Sequence, residues 1–194
     1  MYTGLQSPLV LASASPRRSE ILEKLGFTCE IQPANIDEEA IRHNDAAEQT
    51  LLLARAKADV VARAGRLTVA ADTVVVLDGD VIEKPRDTNH ARTMLQRLSG
   101  RSHLVFTAVC LVFPRGEKIS FLEKTEVHFL QLSEETIAQY IATPAPYDKA
   151  GGYGVQDAFG MANIGRIDGC YFNVMGFPAS RFMRALAENR KFLL

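Results

Sequence analysis

The stretch Leu9-Val10-Leu11-Ala12-Ser13-Ala14-Ser15-Pro16-Arg17-Arg18 decides the fold class. An apolar run of strand length breaks into small and hydroxyl residues, then meets a proline and two adjacent arginines. Beyond it, Ile21, Leu22 and Leu25 recur at helical spacing. The segment therefore reads as a strand running into a helix. Ser15 is expected as the N-cap and Pro16 as the first helical residue, a position with no intrahelical use for an N–H. Unpaired backbone N–H groups and the positive end of the helix dipole favour an anion at such a start. Arginine is misplaced in a first turn unless an incoming phosphate supplies the missing negative charge. From this segment alone two readings stand side by side: a phosphate site, or a capped helix with solvated arginines.

The same alternation of helix and strand continues along the chain. Phe27 to Ile31 predicts a second strand, ended by Pro33 and Asn35 and followed by the acidic loop Asp37-Glu38-Glu39. Asp45 is expected to cap a helix running to about Ala64, before Gly65. Leu67 to Leu77 is the most apolar strand, and Asp78-Gly79 signals a hairpin that returns through Val81 and Ile82. Asp87 caps a helix with Ala91, Met94, Leu95 and Leu98 on one face. Strands over 103–113 and 119–130 flank Pro114-Arg115-Gly116, and Ser133-Glu134-Glu135 opens another helix. The Gly-rich segment Lys149 to Gln156 follows; Asp168-Gly169 is expected to separate two short strands, and a last helix reaches about Asn189. Hairpins among alternating elements predict an α/β fold with a mixed, twisted central sheet flanked by helices, two lobes around a cleft. No linker, repeat or low-complexity tract divides the 194 residues, so one domain over 1–194 is expected.

Composition removes several classes of function. A net charge of −1 gives no basic field to recruit nucleic acid or an anionic membrane, so phosphate affinity must come from local clusters. Cys29, Cys110 and Cys170 lack CxxC spacing and lie in apolar or strand-like runs, which predicts free thiols in a reducing compartment. No apolar run reaches transmembrane length and no signal-peptide pattern opens the chain, so a cytoplasmic protein is expected. The four histidines show no HExxH spacing. GxSxG, GxxxxGK[ST] and GxGxxG are absent, against a zinc hydrolase, a serine hydrolase and the standard nucleotide loops.

Asp72 is the most informative single residue. It interrupts Val69-Ala70-Ala71-Asp72-Thr73-Val74-Val75-Val76, where a carboxylate is costly unless paired, metal-bound or facing an opening. It reads as a base or metal ligand, or as a strand-end aspartate holding a loop, with Thr73 on the opposite pleat. Lys84, Lys57 and the acidic loop are by default solvated, although loop carboxylates are hard ligands suited to magnesium. Gly151, Gly152 and Gly154 form either a flexible turn or a close backbone approach to a ligand, with Gln156 offering both donor and acceptor to a base edge.

Taken in order, these segments resemble the Maf family of nucleoside triphosphate pyrophosphatases. The family's Leu-Ala-Ser-x-Ser-Pro-Arg-Arg opening stands at Leu11 to Arg18, its Ala-Asp-Thr-Val-Val at Ala71 to Val75, and its Lys-Pro-Arg-Asp at Lys84 to Asp87. Its Leu-Ser-Gly stands at Leu98 to Gly100, its Asp-Lys-Ala-Gly-Gly-Tyr-Gly-x-Gln at Asp148 to Gln156, and its Asn-Val-x-Gly-x-Pro at Asn173 to Pro178. The resemblance implies an ITPase-like fold, a homodimer, and hydrolysis of a nucleoside triphosphate to monophosphate and pyrophosphate with a divalent metal, Mg²⁺ or Mn²⁺. It places Asp72 as the general base and a metal ligand, with Glu38 near the metal. Ser13, Arg18, Lys57, Lys84 and Lys149 fall on substrate-binding positions. Arg17, Thr73 and Gln156 match the subgroup acting on dTTP and UTP rather than on 7-methyl-GTP. A second reading, from the family's association with septation, is a nucleotide-binding regulator of cell division with little turnover.

Overall fold

The structure, a computed structural model, describes Leu5 and residues 7–193. Leu9–Leu11 forms β1, Cys29–Ile31 β2 and Thr68–Leu77 β3, and β1 pairs in parallel with both of the others. Parallel neighbours need crossovers, and two helices supply them: α1 (Pro16–Lys24) and α2 (Ala46–Val61). The Asp78-Gly79 pair has positive φ at both residues, 54° and 88°, as a two-residue hairpin requires. It turns the chain back into β4 (Asp80–Ile82), antiparallel to β3. After α3 (Thr88–Leu98) come the long strands β5 (Ser102–Val112) and β6 (Lys118–Phe129). There follow α4 (Glu134–Ile141), α5 (Ala158–Asn163), β7 (Ile164–Asp168), α6 (Tyr171–Val174) and α7 (Ala179–Glu188). The seven strands form one mixed sheet in the order β2-β1-β3-β5-β6-β7, with β4 paired to β3 and β7 antiparallel to β6.

The chain resolves into two compact units, neither contiguous in sequence. The first holds the residues up to Asp72, Thr107–Glu123 and the chain from Gly176 on; the second holds Thr73–Phe106 and Lys124–Met175. Both boundaries near the middle of β3 and β5 fall inside strands, so no change of composition marks them. The first unit has a core of small residues, with Val10, Ala12, Ala54, Ala58, Ala70, Ala108 and Cys110 in one cluster. The second has a bulkier core around Leu77, Leu95, Leu98, Val127, Phe129, Ile137 and Tyr153.

Several local expectations change. Asp45, Asp87 and Ser133 each accept a backbone N–H as N-caps, but Ser15, although in the N-cap position of α1, makes no side-chain capping bond. α2 stops at Val61, since Ala62 leaves the helical region (φ −59°, ψ 134°). The acidic loop contains a 3-10 turn, Glu38–Ala40, capped by Asp37. Asp168-Gly169 does not join two strands. It leads from β7 into α6, because Cys170 N–H donates to Thr125 Oγ1 at 3.0 Å and Asn173 Nδ2 donates to Val105 O and Thr125 Oγ1, both at 3.0 Å. Those bonds draw the chain back on itself and leave no extended partner for a new strand.

Candidate active site

In the first unit the site grows from the carboxyl end of a parallel strand pair, where α/β sheets place their ligands. Register pairs Leu11 of β1 with Val69 of β3, and Ala12 N–H donates to Val69 O at 2.8 Å. Just past that point β1 releases into Ser13 and the start of α1, while β3 runs on to Asp72. On β3, Ala70 and Asp72 share a face and Thr73 lies on the other. Ala70 packs with Ala54 and Ala58 of α2, and these methyl-sized contacts bring helix and strand close. Lys57 lies three residues after Ala54, on the same side of α2, and reaches Asp72 along that seam. Its Nζ donates to Asp72 Oδ1 at 2.7 Å and also meets Glu38 Oε1 at 2.8 Å.

This pairing answers why a strand as apolar as β3 tolerates an acid. Asp72 and Lys57 are 14% and 12% exposed, so an unpartnered carboxylate would carry a large desolvation cost. Glu38 is 55% exposed and closes the cluster from the solvent side. The acidic loop thus divides its labour: Asp37 caps the 3-10 turn through Oδ1 bonds from Glu39 and Ala40 N–H, and Glu38 is left to face Lys57.

The start of α1 adds a second polar centre. Ser13 Oγ accepts from Ser15 N–H at 3.2 Å and from Arg18 Nη1 at 2.9 Å. Ser13, not Ser15, is therefore the hydroxyl that orders this turn. Arg18 Nε donates to the Gly176 carbonyl at 3.0 Å, which fixes the guanidinium plane. Burial pulls the Arg18 pKa below its ordinary value; the carboxylates of Asp72 and Glu38 oppose that shift, and the neighbouring Arg17 adds to it. A desolvated guanidinium with a second arginine beside it gains from a further anion. The first turn of α1 itself holds no acid. In chemical terms the cluster can hold a water against a carboxylate and neutralise phosphate oxygens.

The second unit gathers the remaining expected residues. Thr73 opens its part of β3, and Val75, on the same face, meets Gly151, where an added Cβ would lie 3.0 Å from Val75 Cγ2. Gly151 N–H donates to Glu83 O at 3.1 Å, and a Cβ on Gly152 would lie 3.1 Å from Pro85 Cγ. Residues Gly151 to Val155 are buried. The glycines thus serve close backbone packing of the Gly-rich segment against β3 and the Lys84-Pro85 turn, not a flexible loop. Lys84 itself is exposed beside that packing. Gln156 is half-buried, and its Oε1 is buried without a hydrogen-bond partner among the described residues. Lys149 Nζ donates to Ala145 O at 2.5 Å and Asp148 Oδ1 at 2.7 Å, and lies 3.4 Å from Asp157 Oδ2.

Sequence reasoning missed the Gly176 carbonyl, Asp157 and a buried His103 Nε2–Tyr153 Oη bond of 2.6 Å. Gly176 and Tyr153 had a signal, their places in the Asn173 to Pro178 and Asp148 to Gln156 motifs. No group of three or more His, Cys, Asp or Glu side chains among the described residues is arranged around a metal position.

Comparison with known proteins agrees with the ordered motifs. The family described as Maf-like protein matches residues 8–189. The chain is similar to the dTTP/UTP pyrophosphatase of Exiguobacterium sibiricum, 45% identical over 181 residues that cover 93% of this chain and 92% of that one. The dTTP/UTP pyrophosphatase of Carboxydothermus hydrogenoformans is 45% identical over 183 residues, 93% and 97% of the two chains. That of Thermosipho africanus is 46% identical over 173 residues, 89% and 88% of the two chains. Among solved structures, a nucleoside-triphosphatase described as dITP/XTP pyrophosphatase from Mycobacterium abscessus superposes with a TM-score of 0.42 at 18% identity, over 94% of this chain and 97% of that one. With the family's motifs met in order from Leu11 to Pro178 and a match that runs over residues 8–189, this chain belongs to the Maf family.

Proposed function

We propose that this protein hydrolyses the α–β phosphoanhydride bond of dTTP and UTP, releasing the monophosphate and pyrophosphate. The observation that carries the chemistry is the Asp72–Lys57–Glu38 cluster, in the same compact unit as the desolvated Arg18. Relatives named dTTP/UTP pyrophosphatase, matched over most of their length, support the substrate.

In this reading Asp72 takes the proton of the water that attacks the α-phosphorus, and the leaving group is pyrophosphate. Lys57 holds the carboxylate in place before substrate arrives. Arg18, oriented by Ser13 and Gly176, meets phosphate oxygens as their charge grows, a role worth far more in a dry site than in water. Lys84 and Lys149, both in the second unit, are cations of a kind suited to phosphate oxygens and are read as substrate-binding residues. The donor set also fits a divalent cation. Mg²⁺ takes one or two carboxylates and completes its shell with substrate phosphates and water. Asp72 and Glu38, drawn towards one point by Lys57, would hold it, and when bound it would neutralise phosphate charge.

Base choice rests on Arg17, Thr73 and Gln156. Uracil and thymine carry an N–H at ring position 3, where cytosine carries an acceptor. The buried, unpaired Gln156 Oε1 accepts from the former and is left facing a lone pair by the latter, a penalty that supports pyrimidine selection. The reading includes a homodimer that works in the cytoplasm and binds no nucleic acid; no described helix is long and apolar enough to cross a membrane.

The test is a screen of dTTP, UTP, dCTP, CTP, GTP, 7-methyl-GTP and modified pyrimidine triphosphates with Mg²⁺ or Mn²⁺, scored for pyrophosphate. Release from dTTP and UTP at least about tenfold above dCTP and GTP is expected. Tight nucleotide binding with no release from any substrate would replace this reading by the regulatory one.

A further inference from the structure

We propose that Gln49 is a positioning residue for Glu38: its side-chain amide clamps the loop 38–43 onto α2, and this sets how tightly the Asp72–Glu38 pair holds a divalent cation. The inference rests on the cation reading above and assigns what keeps the outer carboxylate in place.

The loop has little of its own to hold it. Residues 37–40 and 42–45 are exposed, so burial anchors neither stretch. Asp37 Oδ1 accepts from Glu39 and Ala40 N–H, Ile41 N–H donates to Glu38 O at 3.3 Å, and Arg42 Nε donates to Glu39 O at 3.1 Å. These bonds shape the turn without joining it to the rest of the unit. Glu38 meets Lys57 Nζ at 2.8 Å, but its side chain is 55% exposed, and an ion pair so open to water is weak support for a chain segment.

Gln49 supplies a firmer tie. Its Oε1 accepts from His43 N–H and its Nε2 donates to Ile41 O at 2.5 Å, so one side chain closes on two backbone groups of the loop. An amide suits this task because it carries donor and acceptor together; a carboxylate would lack the donor and an ammonium the acceptor. The platform beneath it is rigid. Gln49 N–H donates to Asp45 O at 2.9 Å, and Asp45 caps that first turn of α2 through Oδ1 bonds from Ala47 and Glu48 N–H at 2.8 and 3.0 Å.

Helix geometry connects this anchor to Glu38. Gln49 and Lys57 stand eight residues apart on α2, about 12 Å along its axis. The loop runs beside them in the opposite sense, with Ile41 and His43 at Gln49 and Glu38 at Lys57. Ile41 lies three residues beyond Glu38, at most about 10 Å of extended chain and less in a 3-10 turn. The Glu38 and Lys57 side chains span what remains. With Ile41 fixed, the Glu38 carboxylate has little slack around Lys57 and Asp72. With Ile41 released, the exposed turn can carry Glu38 away into water.

The experiment compares Gln49→Met, Glu38→Gln and the double variant in the full-length protein. Methionine keeps the length and helix preference of glutamine and removes both bonds. Mn²⁺ alone is the probe, its dissociation constant read without nucleotide from the electron paramagnetic resonance of free Mn²⁺. Trypsin cleavage after Arg42, followed by mass spectrometry, reports the loop, and Tm reports the fold. Positioning predicts a Mn²⁺ Kd about tenfold weaker in Gln49→Met, the scale for loss of a group that orients a metal ligand, together with faster cleavage after Arg42. Glu38→Gln weakens Mn²⁺ at least as much, and the double variant is no weaker than Glu38→Gln, since no carboxylate is left to position. With dTTP, the Mn²⁺ concentration for half-maximal pyrophosphate release rises about tenfold in Gln49→Met, while kcat at saturating Mn²⁺ stays within about threefold of wild type. Faster cleavage with unchanged Mn²⁺ affinity would make Gln49 a loop staple only and overturns the proposal, as does a further tenfold loss in the double variant. Should Gln49→Met fail to fold, Gln49→Ala, the better helix former, decides in its place. A wild type that binds no Mn²⁺, or unchanged affinity in Glu38→Gln, removes the cation reading of Glu38 and this inference with it. A loss confined to Glu38→Gln refutes only the positioning role.

Discussion

Replacing Asp72 by asparagine tests the centre of the site with little change of shape. The amide oxygen still accepts from Lys57 Nζ at the 2.7 Å position, and Lys57 retains Glu38 at 2.8 Å. The fold therefore loses only the difference between a charged and a neutral hydrogen bond, about 1 kcal/mol. For a chain of this size that is a fall of roughly 2–4 °C in Tm. Catalysis loses much more. A positioned general base contributes about 10²- to 10⁴-fold, or roughly 2.7–5.4 kcal/mol of barrier, so kcat for dTTP is expected to fall by that factor. Dissociation constants tell the two losses apart. Removing a negative charge beside the triphosphate leaves dTTP binding, followed by calorimetry without turnover, equal to or tighter than that of wild type. A kcat within tenfold of wild type, in a variant that melts normally, would refute Asp72 as the base. A tenfold or greater loss of dTTP affinity would show that Asp72 acts chiefly in binding.

Arg18→Ala should cut turnover of every accepted triphosphate about 10²- to 10³-fold, the scale for loss of one preorganised donor, whereas Arg17→Ala should mainly change which base is accepted; equal, base-independent losses would undo that division. His103 is 2% exposed and burial holds its pKa at about 4, so the folded protein resists a proton that the unfolded chain accepts. The unfolded state then binds more protons between about pH 6.5 and 4. Stability from this group is complete above that window and lost as pH falls through it, on the order of 2 kcal/mol by pH 4.5. Urea unfolding at pH 7 and 4.5 should show this loss in wild type and not in His103→Gln. Gly160→Ala should destabilise by about 1–3 kcal/mol, although alanine is the better helix former, because the new Cβ would lie 2.2 Å from the Gly154 carbonyl; a Tm equal to wild type would contradict that contact.

Much of this is legible in the sequence. The caps at Asp45, Asp87 and Ser133, the Asp78-Gly79 hairpin and the strand around Asp72 each follow from residues within a few positions of one another. Asp72 was conspicuous because a carboxylate in an apolar strand needs a reason. Other features were not legible. Ser13 and Ser15 are equivalent as local hydroxyl caps, and only the arrival of Arg18 Nη1 favours Ser13. The second Asp-Gly turn looked like the first until Thr125 and Asn173 bent the chain into α6. Lys57 and Lys149 are alike in the sequence as lysines with acids nearby, yet only packing brings Lys57 to Glu38 and Asp72 and Lys149 to Asp148 and Asp157.

The sequence by itself determined the order of helices and strands, the mixed sheet and the residue types available for phosphate chemistry. Those depend on hydrophobic periodicity, capping and turn preference, which act within a turn of helix or a short run of strand. Tertiary structure decided which acid each cation meets. Lys57 finds Asp72 only because alanines at 54, 58 and 70 let α2 settle onto β3, and Arg18 is oriented by a carbonyl 158 residues away. Ion pairs and carbonyl contacts of that kind are set by how faces pack, over separations that local sequence preferences do not reach.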